Sequence, residues 1–322
     1  MDYVNLGGAG LQVSRIALGC MSFGTGSPWM LNEDDSRAII KRALDAGINF
    51  FDTANIYSTG ESEQIVGRAL KDFGPSRDRL VISTKVFGTM GDDPNQHGLT
   101  RKHIRHSIDD SLQRLGVDYV DLYQIHRFDP STPMEETLEA LAEVVKAGKA
   151  LHIGASSMYA WQFAKFQYLA DRLRLPRFVT MQNHYNLLYR EEEREMNPLC
   201  RAERVGLLPW SPLAGGVLAG SRRSGTARAN DPRFREGYRR PADEAVVEAV
   251  SSLAEARGVG PAEIALAWLL AKPEVTAPIV GATKVTHLEG AFRALSVKLT
   301  EDEVAELERP YLTQSIRGHS YV

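Results

Sequence analysis

Apolar residues in this chain recur as short runs, each followed by a polar loop and then by apolar positions at helical spacing. The repeat spans roughly 25 to 40 residues. Its clearest example is the segment 48–57, in which Ile48, Phe50 and Phe51 supply a β-branched and aromatic run and the polarity switches at Asp52. Such a run is typical of a buried strand, and the polar residues after it are typical of a loop.

The same pattern predicts eight strands, near residues 16–18, 48–52, 80–84, 119–125, 150–153, 178–181, 205–209 and 278–280. Helices are predicted between them, near residues 34–46, 61–73, 104–115, 138–145, 159–169, 191–203, 243–256 and 261–271. Two apolar runs that flank Gly7-Gly8-Ala9-Gly10 predict a hairpin ahead of the first strand, plugging one end of the fold. Eight alternating strands and helices favour a (β/α)8 TIM barrel over a doubly wound sheet, with residues 1–322 as a single domain. No G-x-G-x-x-G turn follows the first strand, which also argues against a Rossmann unit.

Composition and charge narrow the function classes. The 322 residues are 43% hydrophobic, and 38 basic against 41 acidic side chains leave a net charge of −3, which argues against a nucleic-acid binder that relies on phosphate attraction. Cys20 and Cys200 stand in neither a CxxC nor a metal-ligand spacing, so we expect reduced thiols and no metal. No signal peptide and no apolar run of about 18 residues is visible, so we expect a cytoplasmic protein without a membrane segment.

Candidate chemistry lies at the ends of three successive strands. Asp52, Lys85 and His126 follow the second, third and fourth predicted strands, and Tyr57 lies in the loop after Asp52. In a parallel barrel these ends share one face, so the four side chains can converge on one pocket. Hydride addition to a carbonyl builds negative charge on oxygen, which needs a positioned donor and then a proton. We expect Tyr57 to supply the proton, with the ammonium of Lys85 lowering its pKa, Asp52 holding Lys85, and His126 orienting the carbonyl.

Each of these residues also has a structural interpretation. A loop tyrosine is more often packing than catalysis, and a lysine that closes a strand is usually a solvated charge. Asp52 could cap a loop, and His126 could be a core histidine bonded to backbone. The coincidence of all four at the strand ends favours a site.

Four segments together resemble the aldo-keto reductase family in order and spacing. They are Asp52-Thr53-Ala54-Asn55-Ile56-Tyr57, Ser83-Thr84-Lys85-Val86, Leu122-Tyr123-Gln124-Ile125-His126 and Gly154-Ala155-Ser156-Ser157. The resemblance runs from Leu11 to Gly281 and is closest to bacterial members that also resemble potassium-channel β subunits. It implies a (β/α)8 barrel, NADP(H) bound over the rim, a small carbonyl substrate, and Asp52, Tyr57, Lys85 and His126 as the catalytic tetrad with Tyr57 as acid.

The resemblance also implies three groups of cofactor contacts. Ser156, Ser157 and Gln182 match residues that hold the nicotinamide carboxamide, and Trp210 matches an aromatic that stacks on the nicotinamide ring, although a core aromatic is the alternative. The loop over the pyrophosphate corresponds to Ser211, Pro212, Leu213, Gly215 and Gly216. The adenosine end corresponds to Gly281, Thr283, Lys284 and His287. Two positions depart from the family: many relatives have Asn in place of Ser157, and the segment 281–284 replaces an arginine-bearing one.

The substrate and the partners are less visible in the sequence. Met21, Trp29 and Arg127 are candidates for lining the pocket, because they lie in loops after the first and fourth strands. The segment 221–240 contains seven arginines, which predict either an anion clamp over the cofactor or a solvated loop: Arg222, Arg223, Arg228, Arg233, Arg235, Arg239 and Arg240. A cofactor-bound sensor or regulatory subunit with little turnover is the alternative function, and the intact tetrad disfavours it. The sequence leaves the choice between monomer and homo-oligomer open.

Overall fold

A two-stranded hairpin precedes the barrel, as the apolar pattern predicts. In the computed structural model, which describes residues 1–220, 238 and 240–319, β1 (Tyr3–Asn5) pairs antiparallel with β2 (Gln12–Ser14). Gly7 in the turn has a φ of +59°, and a Cβ there would lie 2.5 Å from the backbone of Val179 and Gly206, so only glycine fits. The hairpin therefore packs directly against the barrel strands.

Eight parallel strands follow and form the barrel. They are β3 (Ala17–Gly19), β4 (Phe50–Asp52), β5 (Val81–Val86), β6 (Val120–Ile125), β7 (Ala150–Ser156), β8 (Phe178–Gln182), β9 (Gly206–Leu207) and β10 (Ile279–Gly281). Each pairs with the next in chain order, and β10 pairs with β3. Beyond the short β9, the backbone N–H of Ile279 donates to the carbonyl of Pro209 at 2.9 Å, which links the two remaining edges. The predicted (β/α)8 TIM barrel is confirmed.

Helices cover the outside of the strands. Their bounds are α1 (Glu33–Asp45), α2 (Glu61–Phe73), α3 (Arg101–Leu115), α4 (Met134–Lys146), α5 (Ala160–Leu173), α6 (Met196–Ala202), α7 (Pro241–Arg257), α8 (Pro261–Ala271), α9 (Val285–Ala294) and α10 (Glu301–Glu308). Asn32 and Thr100 begin α1 and α3 by accepting backbone N–H groups with their side chains, and left-handed Gly116 ends α3. The eight predicted helices are present, although 191–203 divides into a 3₁₀ turn (Glu191–Glu193) and α6. The sequence pattern did not predict α9 and α10.

Two apolar cores hold the barrel. The inner one joins hairpin residues Leu6 and Val13 to strand residues such as Phe50, Val81 and Leu122, so the hairpin closes one end of the barrel. The outer one lies between the strands and helices and contains most of the remaining buried apolar side chains. With one end closed by the hairpin, the carboxyl ends of the strands remain as the face on which a site can form. Among the described helices, none is long and apolar enough to cross a membrane.

Candidate active site

The four residues of the expected tetrad meet at the carboxyl ends of neighbouring strands. Asp52 is the last residue of β4, Lys85 is the penultimate residue of β5, and His126 follows directly after β6. Tyr57 begins a 3₁₀ turn (Tyr57–Gly60) between β4 and α2. Because parallel strands present their carboxyl ends on one face, residues 74 positions apart in the chain become neighbours.

The ammonium of Lys85 is the centre of this group. Its Nζ donates to Oδ2 of Asp52 at 2.6 Å and to the carbonyl of Thr53 at 2.7 Å, and it lies 3.4 Å from the hydroxyl of Tyr57. The side chains of Lys85 and Asp52 are 0% and 2% exposed, so the ion pair is sealed from solvent. Removal of either partner would leave a buried charge alone.

The second carboxylate oxygen of Asp52 accepts three further hydrogen bonds. Oδ1 accepts from Ser83 Oγ at 3.1 Å, from Gln124 Nε2 at 3.1 Å and from Gln182 Nε2 at 3.0 Å. Gln124 also donates to Ser83 at 2.7 Å. Sequence reasoning did not assign a role to Ser83 or Gln124, although both stand two positions from a tetrad partner in a strand, Lys85 and His126, where alternate side chains face one side.

Tyr57 is held in place by a strained turn. Ser58 and Thr59, which follow it, both have left-handed backbones, with φ of 47° and 50°. Ser58 Oγ donates to the carbonyl of Phe23 at 3.1 Å, and the backbone N–H and hydroxyl of Thr25 donate to Glu61 Oε2. The loop after β3 is thereby fixed to the turn that carries Tyr57.

The pKa of Tyr57 differs from the expectation. Burial raises the pKa of the phenol, and this outweighs the lowering by the Lys85 ammonium, so the hydroxyl stays protonated at neutral pH. For Lys85, burial favours the neutral amine, but the Asp52 carboxylate and Tyr57 outweigh it and raise the pKa. The expected effect of Lys85 is present, since its ammonium lowers the pKa of Tyr57, but burial is larger, and a sequence does not reveal how far a side chain is removed from water.

His126 lies beside Tyr57 with its ring edge-on, at 5.7 Å between ring centroids. Burial, with the charges of Lys85 and Arg127, holds the pKa of His126 well below its usual range. The imidazole is therefore neutral at pH 7 and has one N–H to donate.

The residues expected near the nicotinamide also meet at this face. Ser156 Oγ donates to the carbonyl of Gln182 at 2.8 Å, and the indole Nε1 of Trp210 donates to Ser157 Oγ at 2.9 Å. One face of Trp210 stacks on His184, with ring centroids 4.1 Å apart. Trp210 is thus fixed in orientation by a hydrogen bond at its edge and a ring at its face.

The expected pyrophosphate loop follows Trp210 directly. Ser211, Ala214, Gly215 and Gly216 all have positive φ, from 50° to 96°, and a 3₁₀ turn spans Ala214–Ala219. Asn186 Nδ2 donates to the carbonyl of Ser211 at 2.9 Å and fixes the start of this loop. Pro212 is buried and Leu213 is half-buried in it.

The expected adenosine end lies beyond the last strand. Gly281 ends β10, Lys284 is the N-cap of α9, and the Thr283 N–H donates to His287 Nδ1 at 3.4 Å. Lys284 and His287 are exposed. A helix N-terminus beside a lysine is an arrangement that suits a phosphate.

Of the candidate substrate residues, Arg127 lies within the site: its Nη1 donates to the carbonyl of His126 at 2.6 Å. Met21 and Trp29 lie in the loop fixed to the Tyr57 turn, where Met21 is half-buried and Trp29 is buried.

Arg240, one of the seven arginines of the segment 221–240, binds Asp243 at 2.8 Å and the carbonyls of Leu312 and Thr313. The other six arginines lie outside the described residues.

Comparison with known proteins gives one consistent family. The profile of the Aldo/keto reductase family matches residues 15–311. An aldo-keto reductase of Fusarium vanettenii is 43% identical over 99% of this chain and 94% of the relative. The versiconal hemiacetal acetate reductase of Aspergillus parasiticus is 43% identical over 98% of both chains. An aldo-keto reductase of Metarhizium robertsii is 41% identical over 99% of this chain and 94% of the relative. These relatives are fungal, so they do not support the expected kinship with bacterial, potassium-channel-related members.

Proposed function

The chain belongs to the aldo/keto reductase family and is an oxidoreductase, and from this premise we propose that it reduces an aldehyde or ketone to an alcohol with NADPH, Tyr57 being the general acid. One observation carries the proposal: the Lys85 ammonium is held by Asp52 at 2.6 Å and lies 3.4 Å from the Tyr57 hydroxyl. In this arrangement a protonated phenol lies next to a fixed positive charge, at the same face as the loops proposed to bind the cofactor and the substrate.

In the proposed reaction, the substrate carbonyl oxygen accepts hydrogen bonds from Tyr57 and from neutral His126. As negative charge develops on that oxygen, the Tyr57 phenol transfers its proton. The phenolate that remains is stabilised by Lys85, whose charge Asp52 keeps in place. The same groups run in reverse during alcohol oxidation, when the phenolate is the base.

NADPH, when bound, supplies the hydride. Ser156, Ser157 and Gln182 are proposed to hold its carboxamide, and Trp210 to stack on its ring. The side-chain Nε2 of Gln182 already donates to Asp52. The side-chain Oε1 of Gln182 is therefore the atom proposed to accept a hydrogen bond from the carboxamide N–H. The positive-φ backbone of Ser211, Gly215 and Gly216 suits a close approach to pyrophosphate, with Pro212 and Leu213 shaping the same loop. Gly281, Thr283, Lys284 and His287 are proposed to receive the adenosine phosphate.

The proposed location is the cytoplasm, where both buried thiols, Cys20 and Cys200, would stay reduced.

Met21 and Trp29 are proposed to line the substrate pocket, since their loop is fixed to the Tyr57 turn. The substrate is proposed to be a small carbonyl compound.

The test compares Tyr57→Phe with the wild type in NADPH oxidation with 4-nitrobenzaldehyde and in fluorescence titration of NADPH. Loss of the hydroxyl should lower kcat by roughly 10² to 10⁴ and leave NADPH affinity nearly unchanged, because a positioned general acid contributes about that much. Tyr168→Phe is the matched control, since Tyr168 is 62% exposed on α5. Equal rates for Tyr57→Phe and wild type would refute the proton-donor role. Tight NADPH binding with no turnover on a broad carbonyl panel would favour a sensor over an enzyme.

A further inference from the structure

Arg127 directly follows His126 and brings a second positive charge into the candidate site. Its Nη1 donates to the His126 carbonyl at 2.6 Å and lies 3.5 Å from Ser156 Oγ. Its Cζ lies 5.9 Å from the centroid of the Trp210 ring. The guanidinium is therefore placed between His126, Ser156 and the aromatic ring expected at the nicotinamide.

The charge of Arg127 is not neutralised by the described part of the chain. Other half-buried arginines in the described part of the chain form ion pairs with carboxylates. Arg77 pairs with Asp121 at 2.7 Å, and Arg114 pairs with Glu63 at 2.6 Å. No Asp or Glu among the described residues lies within ion-pair distance of Arg127. Burial lowers the pKa of its guanidinium, because removal from water disfavours the charged form.

One edge of the Arg127 guanidinium has no hydrogen-bond partner among the described residues, and this edge suits a planar anion. Arg15, a half-buried arginine that likewise has no carboxylate partner among the described residues, satisfies its nitrogens with the carbonyls of Leu270, Val275 and Thr276. By contrast, the hydrogen bonds of Arg127 to described residues all use Nη1. Its Nε and Nη2 are left with the parallel N–H geometry that binds a carboxylate or phosphate in a bidentate manner.

The described groups around the reacting carbonyl do not offset the charge of Arg127. Lys85 is balanced by Asp52 at 2.6 Å, and His126 is neutral because its pKa is held well below its usual range. Tyr57 is protonated, so it adds no negative charge beside the guanidinium. A bound anion would neutralise the charge of Arg127 in a setting shielded from water, where such a pair is strong.

We propose that Arg127 binds an anionic group of the substrate, so that the enzyme prefers carbonyl compounds that carry a carboxylate or a phosphate. The inference rests on the proposed reductase function and adds the substrate class to it. The carbonyl would lie at Tyr57 and His126, and the anion would lie on the Nε and Nη2 edge of Arg127.

The experiment measures kcat/KM with NADPH for two matched pairs of aldehydes. For a carboxylate, 4-carboxybenzaldehyde is compared with methyl 4-formylbenzoate; for a phosphate, glyceraldehyde 3-phosphate is compared with glyceraldehyde. The wild type should favour the anionic member of at least one pair by about tenfold or more, mainly through KM, since a charge-assisted hydrogen bond contributes that much. The pair that shows the preference identifies the anion, and added salt should reduce it.

Two variants assign the preference to this side chain. Arg127→Met removes the charge and keeps the length, and it should bring the ratio within the pair close to one. Arg127→Lys keeps a charge without the planar fork, and it should retain part of the ratio. Thermal unfolding and NADPH titration of each variant show that the protein is folded and loaded.

The outcomes separate this inference from the function on which it rests. Reduction of 4-nitrobenzaldehyde with no anionic preference in either pair would overturn the role of Arg127 and leave the reductase function standing. An Arg127→Met variant that loses NADPH affinity but keeps the ratios would assign the charge to the cofactor instead and overturn the inference. Failure to reduce any of these aldehydes would overturn the proposed function, and the inference with it.

Discussion

The Nε2 atom of Gln182 donates a 3.0 Å hydrogen bond to Oδ1 of Asp52, and so connects the last residue of β8 to the last residue of β4 across the barrel. Gln182 is a proposed carboxamide ligand, whereas Asp52 holds the Lys85 ammonium. The proposed cofactor contact and the proposed proton-transfer groups are therefore one hydrogen-bond network rather than two neighbouring ones.

Substitutions at two glutamines of this network distinguish the proposed cofactor contact from the support of the proton-transfer groups. Gln182→Leu should weaken NADPH binding and also lower kcat, because it removes both the carboxamide contact and a bond to Asp52. Gln124→Leu should lower kcat by a similar factor, roughly tenfold, and weaken NADPH binding less than Gln182→Leu, because the side chain of Gln124 bonds only Asp52, Ser83 and Gln182 among the described residues and has no proposed contact with the cofactor. Steady-state kinetics and NADPH titration of both variants are the measurement. Unaltered NADPH affinity in Gln182→Leu would remove this residue from the cofactor site.

Lys85→Met should impair carbonyl reduction and alcohol oxidation alike, because both directions pass through the same transition state, in which Lys85 stabilises the developing phenolate. Without the ammonium, the already raised pKa of Tyr57 rises further, so less phenolate is present to act as base in oxidation. The alkaline rise of the oxidation rate should therefore move to higher pH. The measurement is the pH profile of kcat/KM in both directions, and an unshifted oxidation profile would contradict the proposed link between the two residues.

The same substitution should also destabilise the fold, because it leaves the carboxylate of Asp52 buried and unpaired. Removal of one partner from a buried pair costs about 3 to 5 kcal/mol. The double variant Asp52→Asn with Lys85→Met should recover much of this loss without recovering oxidation activity. Denaturant unfolding of the single and double variants measures the effect, and a double variant no more stable than Lys85→Met would argue against it.

Ser157→Ala should loosen Trp210. The substitution removes the acceptor of the indole N–H at 2.9 Å, while the stacking of Trp210 on His184 remains. We expect NADPH affinity to fall by about two- to tenfold, the effect of one neutral hydrogen bond. Trp210→Phe keeps a ring and lacks the N–H, so in that background the substitution at Ser157 should cost less affinity than alone, and the remainder is the proposed carboxamide contact of Ser157. Additive effects in the double variant would show that Ser157 acts independently of Trp210.

Lys284→Ala should reduce the preference for NADPH over NADH. Lys284 is exposed at the start of α9, where an ammonium and the helix N-terminus can together bind the 2′-phosphate. We expect the ratio of the two affinities to fall by about tenfold at low salt and by less at high salt. Lys165→Ala is the control, because Lys165 is exposed on α5. Equal affinity of the wild type for both cofactors would exclude the NADPH preference itself.

His184 should make the protein sensitive to acid. Burial and the nearby charges of Arg317, Arg127 and His319 lower the pKa of His184 from 6.5 to about 3. Between these values the unfolded chain binds a proton that the folded protein excludes, so stability is complete above pH 6.5 and falls as the pH drops towards 3. The contribution of this residue between pH 7 and pH 5 is about 2 kcal/mol.

The variant His184→Phe isolates this effect, because it keeps a ring between Trp210 and Tyr189 and cannot titrate. Its free energy of unfolding should fall less between pH 7 and pH 5 than that of the wild type. The other histidines with lowered pKa, among them His126, are present in both proteins and cancel in the comparison. Parallel stability curves for the two proteins would refute the assignment.

The sequence by itself determined the strand positions, the barrel and the convergence of Asp52, Tyr57, Lys85 and His126. Short β-branched and aromatic runs mark strands locally, and the rule that parallel strands end on one face converts chain positions into neighbours. The apolar pattern did not predict the helices α9 and α10, although Thr300 forms a capping box at the start of α10. Their apolar stripes are short, so the periodic signal is weak over their length.

Only the tertiary structure decided the electrostatics and the fine contacts of the site. The direction of the Tyr57 pKa shift depends on how much water is removed, and the bonds of Ser83, Gln124 and Gln182 to Asp52 join four different strands. The lack of a carboxylate beside Arg127 among the described residues depends likewise on the position of every acidic side chain there. Electrostatic energies depend on distance and local dielectric, which a linear sequence does not contain until the chain has folded.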